Sequence, residues 1–293
     1  MKAICILLID HQSISEKIIL KSLKNILNSN INKIYFIGDK EKFNKIYCVT
    51  KKYKKLKFIN IENNKSNNFL FIKKTTKEAL KLFKNKKIKF LINMPIDKKK
   101  YLKNKYVGYT EFYSSIFGGP KIENMLMYND TFSTCPITTH IELKKVDKCI
   151  TKKKIINTVK NISNFYKKLN KKIEIVYLGL NPHAGIDFDK NCKEYKVIIP
   201  TLKFLKNKNY PVIGPVSADT AFIKRKNKVF IGNYHDQALI PFKLLNKFNG
   251  INITIGKKLI RISPDHGTGK KLKKNNHISN ESFINCIKFC ERY

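Results

Sequence analysis

Short apolar runs that stop at glycine, aspartate or proline alternate with lysine-rich amphipathic stretches along this 293-residue chain. That alternation restricts the fold more than any other feature. The runs "AICILLI", "KIYFIGD", "KFLINMP", "IEIVYLGLNP", "PVIGP", "KVFIG" and "INITIG" have strand length and end on turn residues. Between them, "SEKIILKSLKNILNS" spaces Ile18, Ile19, Leu23, Ile26 and Leu27 on one helical face, and "TKEALKLFKN" and "KKIINTVKNISNFYKKL" read the same way. Strands alternating with helices predict α/β layers around a largely parallel sheet. The "KKYKKLK" and "KNKKIK" runs read as solvated helix faces or loops, and no internal repeat stands out.

Composition narrows the class. The length suits one large or two ordinary domains, and 42% hydrophobic content with 19 Phe and 14 Tyr supplies a core. No apolar run approaches the roughly 20 residues of a membrane span. The opening "MKAICILLID" runs into Asp10 without a small-residue cleavage site, so it reads as a first buried strand and not a secretion signal. Seven cysteines without a C-x-x-C pair argue against a disulfide framework or zinc ribbon and favour a cytoplasmic protein. Cys286 and Cys290 share a helical face and read as buried thiols. The formal charge of +39 invites a nucleic-acid partner. Of 60 basic residues, however, only Arg225, Arg261 and Arg292 are arginines, and the lysines are spread from end to end. Phosphate and base recognition favours the arginine fork, so the charge reads as compositional drift at surface sites.

The unusual polar clusters all follow apolar runs: "TTHIEL", "NPHAG", "GNYHDQ" and "SPDHGTG". In open α/β sheets, ligands bind beyond the carboxyl ends of strands. None of the six histidines has a short metal spacing, and each alone reads first as a hydrogen-bonded structural residue. His140, His183 and His235 nevertheless share one placement, just past an apolar run, and three such imidazoles could converge on a metal with an open position. Lys243, Asn252 and Arg261 follow His235 at intervals of 8, 9 and 9 residues. Two cations and an amide suit a phosphate ester, with Arg as a two-pronged donor and Lys as a point charge. Lys243 alone would be dismissed among so many lysines, but Arg261 stands inside the apolar "KLIRIS" run.

Taken together and in order, "GYTEFY", "TTHIEL", "GLNPHAG", "GPVSADTAF", "YHDQALIPFK", "INITIG" and "IRISPDHGTG" resemble the 4-hydroxythreonine-4-phosphate dehydrogenase family of vitamin B6 biosynthesis. The resemblance covers roughly residues 90 to 270. It implies two α/β/α domains with the active site between them, like isocitrate and isopropylmalate dehydrogenases. The expected division is residues 1–105 plus 245–293, and 106–244, the second domain carrying most metal ligands and the dimer interface. The implied reaction is NAD-linked oxidation of the C3 hydroxyl of 4-phosphohydroxy-L-threonine, then decarboxylation to 3-amino-2-oxopropyl phosphate. The resemblance implies a divalent metal (Zn, Mg or Co) on His140, His183 and His235, the last from the other subunit of a homodimer. It implies substrate contacts at Tyr109, Thr110, Lys243, Asn252 and Arg261, and NAD or NADP contacts at Asp219, Asp265, His266, Gly267 and Thr268. Asp236 reads as a proton-handling or histidine-orienting carboxylate, with a helix cap as its competitor, and is paired with Lys243 as a catalytic candidate.

Several positions depart from the family pattern. The first loop, "IDHQSISEK", keeps Asp10 but has no glycine, which would strain a backbone needing positive φ. Tyr109 stands where the family has His, Ile186 where it has Glu, and Lys271 where it has Asp. The competing readings are a relative acting on threonate or erythronate phosphate, or an eroded non-catalytic or nucleic-acid-binding protein.

Overall fold

The structure, a computed structural model, describes residues 2–63, 67–103, 105–106, 108–117, 123–256, 260–272 and 278–293. Eleven strands are present among them: β1 Ala3–Leu7, β2 Lys33–Gly38, β3 Leu56–Asn60, β4 Phe90–Asn93, β5 Asn124–Tyr128, β6 Phe132–Pro136, β7 Glu174–Leu178, β8 Val212–Val216, β9 Lys228–Gly232, β10 Ile251–Ile255 and β11 Ile260–Pro264. The chain divides into two compact units. One comprises Met1–Lys121, Phe248–Ile253 and Lys257–Tyr293; the other comprises Ile122–Lys247 and Thr254–Gly256.

In the first unit the strand order is β3-β2-β1-β4-β11-β10. The pairings β3·β2, β2·β1, β1·β4 and β4·β11 are all parallel. β1 and β4 are buried at every position, as strands covered on both faces must be. The helix Asn68–Lys84 begins where the Asn67 side chain accepts the Leu70 N–H, and it buries Phe71, Ile72, Ala79 and Leu82. The helix Tyr109–Phe117 adds Tyr109, Phe112 and Tyr113 to the same core cluster, together with Leu7 and Leu91. That packing keeps residues 106–121 with the first unit, so the chain crosses over at Lys121/Ile122 and not at 105/106.

Two local expectations differ from what the chain does. The stretch "SEKIILKSLKNILNS" is two helices, Ser15–Lys21 and Leu23–Asn28, not one. Ser22 interrupts them: its hydroxyl donates to the Ile18 carbonyl at 2.8 Å, the back-bonding by which serine bends a helix. "KKYKKLK" ends a helix at Lys52 and then enters β3 at Leu56, whose side chain is buried.

In the second unit the order is β5-β6-β9-β7-β8. β6, β9, β7 and β8 are parallel, and only β5·β6 is antiparallel. The helix Lys152–Lys168 starts on a Thr151 cap and buries Ile155, Val159, Ile162, Phe165 and Tyr166. Three neighbouring parallel strands, β6, β9 and β7, therefore deliver their carboxyl ends side by side. That placement positions the candidate site. No helix among the described residues is long and apolar enough to cross a membrane.

Candidate metal and substrate site

β6 ends at Pro136 and leads to His140, β7 ends at Leu178 and leads to His183, and β9 ends at Gly232 and leads to His235. The rings of His140 and His235 lie 5.6 Å apart, centroid to centroid. His183 does not complete a set with them in one chain: among the described residues, no group of three or more His, Cys, Asp or Glu could hold a metal ion.

Two of the imidazoles are oriented in the same way. His235 Nδ1 lies 2.6 Å from Asp236 Oδ1, and His183 Nδ1 lies 2.5 Å from Asp187 Oδ2. A carboxylate on Nδ1 fixes the proton there and leaves Nε2 with its lone pair, the arrangement that metal-binding histidines use. The donor set thus fits a divalent cation. Hydrogen bonding to Asp187, then its charge, also raises the His183 pKa above the ordinary histidine value. Asp236 makes no capping bond: the helix His235–Asn246 has Tyr234 at its N-cap, with no side-chain cap. Asp187 was missed by the motif reading, although its i,i+4 spacing from His183 was visible.

The backbone carrying His183 is unusual. His183 and Ala184 have φ of 51° and 57°, followed by Gly185 at 80°. Two consecutive non-glycine residues in the left-handed region cost energy and persist only when the surroundings hold them. Here Glu194 does the holding. Its fully buried carboxylate accepts the Leu180 and Asn181 N–H groups at 2.8 and 2.7 Å and the Asn181 amide at 2.8 Å. Gly185 is required there, because a Cβ would stand 2.9 Å from Glu194 Cγ and Cδ. Although burial pushes its pKa up, the bonds from Asn181 outweigh this and hold the Glu194 carboxyl below the usual range. Glu194→Ala should strip partners from two N–H groups and lower unfolding free energy by about 2–6 kcal/mol, at about 1–3 kcal/mol per orphaned group. Chemical denaturation checks this, and an unchanged midpoint would refute it.

The first unit holds the buried cation. Arg261, in β11, is 4% exposed, and its neighbours include neutral groups. Its Nε donates to Asn93 Oδ1, its Nη2 to Ser263 Oγ at 3.0 Å, and its guanidinium sits 5.0 Å from the Tyr109 ring centroid. Asn93 was not foreseen; it arises because β11 and β4 are paired in register at Arg261 and Leu91. Burial lowers the Arg261 pKa to about 10, so it remains a cation at neutral pH. Tyr109 therefore acts through its ring and donates or accepts at Thr76 through its hydroxyl, 3.0 Å away; burial raises its pKa to about 12. Asn252, also in this unit, has a buried Oδ1 without a hydrogen-bond partner among the described residues. The Thr110 side chain lies outside the described residues. Lys243 belongs to the second unit, exposed on the helix His235–Asn246.

The glycine-less first loop is not strained, since no residue from Asp10 to Ile14 has positive φ. Asp10 organises it by accepting the Gln12 and Asp97 N–H groups at 3.1 and 3.0 Å. The Ile14 N–H donates to the Thr268 carbonyl at 2.9 Å, and its side chain packs on Gly269, whose φ is +58°. Lys270 pairs with Asp97 at 2.5 Å and holds that carboxyl below its ordinary range. Of the candidate dinucleotide residues, Asp265 donates its N–H to Ser282 Oγ at 2.7 Å. His266 Nδ1 approaches the Gly267 carbonyl at 2.9 Å, and a Cβ on Gly267 would meet open space. Asp219 is exposed in the second unit, and part of the "KKLKKNN" segment, residues 273–277, lies outside the described residues.

Two units of parallel strands and helices with polar clusters at the strand ends place the chain in the α/β class. The solved isocitrate dehydrogenase of Methylococcus capsulatus shares this fold at a TM-score of 0.57 and 10% identity, covering 99% of this chain and 85% of that one. The 4-hydroxythreonine-4-phosphate dehydrogenase of Klebsiella pneumoniae is nearer in structure, with a TM-score of 0.82, 22% identity and 100% of both chains covered. In sequence, the 4-hydroxythreonine-4-phosphate dehydrogenase of Sulfurihydrogenibium sp. is 33% identical over 98% of this chain and 97% of its own length. The chain belongs to the family described as pyridoxal phosphate biosynthetic protein PdxA, whose sequence model matches residues 3–290.

Proposed function

We propose that this protein is a metal-dependent, nicotinamide-linked dehydrogenase that oxidises and decarboxylates 4-phosphohydroxy-L-threonine. The observation that carries the reading is the delivery of His140, His183 and His235 from three adjacent parallel strand ends, two of them with Nδ1 held by a carboxylate. When bound, the metal supplies polarisation of the C3 oxygen and the nicotinamide supplies a hydride acceptor. The chain's own residues do the rest. Asp236 and Asp187 keep the imidazoles in one tautomer. Arg261, oriented by Asn93, Ser263 and Tyr109, receives the phosphate oxygens; Asn252, Thr110 and Lys243 are its proposed helpers. Fixing the phosphate end fixes the distance from it to C3, which is how remote binding groups serve the reacting centre. Loss of the C3 hydride and the hydroxyl proton leaves a 3-oxo acid. That acid releases carbon dioxide because the carbonyl lies β to the carboxylate.

A homodimer with a shared site follows from the same reading. In that reading a second copy of the chain completes the histidine set, with His235 coming from the other subunit. The second unit also exposes Leu143, Ile186, Ile223, Ile240 and Leu244, each more than half accessible, which a partner subunit would cover. Asp219, Asp265, His266, Gly267 and Thr268 are proposed for NAD or NADP.

The test is absorbance at the reduced-nicotinamide band. Purified protein with a divalent metal, 4-phosphohydroxy-L-threonine and NAD should turn over, and a chelator should abolish the signal. Turnover of threonate or erythronate phosphate in its place would overturn the substrate. Undiminished turnover after complete metal removal would overturn the metal.

A further inference from the structure

Asn233 sits immediately before Tyr234 and His235 and is fully buried. Every hydrogen-bonding group it owns is engaged, and the partners lie on other strands. Its carbonyl accepts the Thr138 hydroxyl at 2.6 Å and the Thr138 N–H at 3.3 Å, two residues before His140. Its Nδ2 donates to the Leu178 carbonyl at 2.9 Å, at the end of β7, where the His183 loop begins. Its Oδ1 accepts the Tyr177 hydroxyl at 3.0 Å. A carbonyl can only accept, so Leu178 fixes which end of the amide carries the nitrogen. Gln237 extends the network. Its Oε1 accepts the Asn233 N–H at 2.7 Å, and its Nε2 donates to the Gly179 carbonyl at 2.8 Å.

We infer that Asn233, with Gln237, is a positioning residue that sets the three histidine-bearing loops against one another. The inference rests on the three-histidine reading for its purpose, but the linkage between loops stands on hydrogen bonds alone. Past the last β6·β9 pair the main-chain bonds between these strands end with the Ile137 N–H on the Gly232 carbonyl at 2.8 Å and the Thr138 N–H on the Asn233 carbonyl at 3.3 Å. Beyond them the loops depend on bonds of other kinds. The Asn233 side-chain amide reaches β7 at Tyr177 and Leu178 while its main-chain carbonyl receives Thr138 after β6, so one buried residue touches all three loops. It does so without touching the metal. A buried polar network of this kind is rigid when fully satisfied and costly when broken.

Hydrogen exchange on the full-length protein, together with Co²⁺ titration read by its visible absorption bands, tests the inference. Asn233→Ala removes the side-chain bonds to Tyr177 and Leu178 but keeps the main-chain carbonyl that Thr138 uses. Exchange should therefore speed in 179–187 and Co²⁺ binding weaken by about 10–100-fold, the range for groups that orient ligands. Thr138→Val, which removes the hydroxyl bonded to that carbonyl, should speed exchange in 137–141. Gln237→Glu keeps the acceptor but loses the donor, so exchange should rise in 179–187 and not in 137–141. Ser133→Ala, which removes a buried 2.6 Å hydrogen bond to Tyr166 elsewhere in the unit, should leave both loops and the Co²⁺ affinity near wild type. Equal loosening in Ser133→Ala and Asn233→Ala, or no loosening in Asn233→Ala, overturns the inference. If Asn233→Ala does not fold, the one-loop pattern of Gln237→Glu decides it. Failure of the metal reading looks different: wild type would take up no stoichiometric Co²⁺, or His183→Ala would retain it. The exchange pattern then judges the linkage by itself.

Discussion

His183→Ala is expected to fold normally, carry little metal and lose at least about 10²-fold in kcat/KM. Groups that merely orient a metal ligand are worth about 10–100-fold, and a ligand itself is worth no less. The folded state should survive because the His183 side chain is largely exposed and its hydrogen bond is to an equally exposed Asp187. Alanine is the informative replacement. It retains the left-handed backbone requirement at φ 51°, whereas glycine would relax it and mix a gain in stability with the loss of the ligand. Metal content by mass spectrometry, with circular dichroism and thermal unfolding as folding controls, reads the outcome. A variant that keeps full metal and full activity would remove His183 from the site.

The placement of His140, His183 and His235 was legible because each sits just past a strand, and strand ends are marked by apolar runs meeting Pro, Asn or Gly. The periodic helices were legible for the same reason of simple spacing, including Lys152–Lys168 with its buried face. What was not legible depends on pairing between distant segments. Asn93 becomes a partner of Arg261 only through the β4·β11 register, 168 residues away in sequence. Glu194 holds the His183 loop from a helical segment that looks, in sequence, like one more charged surface turn; its complete burial reverses that meaning. Asn233 reads as a turn residue after "KVFIG", and nothing local says that it reaches Leu178 and Thr138. The absence of glycine from the first loop suggested strain, yet Asp10 closes that loop within ordinary backbone angles.

Most of the positive charge in this chain is lysine at the surface, whereas Arg261 is buried. Lysine occupies exposed positions along the whole sequence, and its long stem tolerates almost any neighbour there. Arg261 is the exception, a cation buried in β11. A guanidinium is more weakly hydrated than an ammonium and can satisfy several fixed acceptors at once. The contrast explains why one arginine carries more functional information than dozens of lysines.

Arg261→Lys should therefore raise the substrate KM by about 10–100-fold while altering kcat less. Charge-assisted hydrogen bonds are worth about 1.5–3 kcal/mol, and about 1.4 kcal/mol is tenfold in affinity. Two physical losses act together. An ammonium cannot present the fork that binds two phosphate oxygens while also satisfying Asn93 and Ser263. Full burial also pushes a lysine pKa down far more readily than that of arginine, so part of the positive charge would vanish near neutral pH. The second loss has its own signature: KM for the lysine variant should improve as pH falls, because protonation restores the charge, over a range where wild-type binding stays level apart from the phosphate's own titration. Tyr109→Phe is the matched control. It keeps the ring beside the guanidinium and removes only the hydroxyl at Thr76, so KM should change by no more than a few-fold. Should Arg261→Lys lower the melting temperature and leave KM unchanged at every pH, Arg261 is a buried structural cation and the phosphate is held elsewhere.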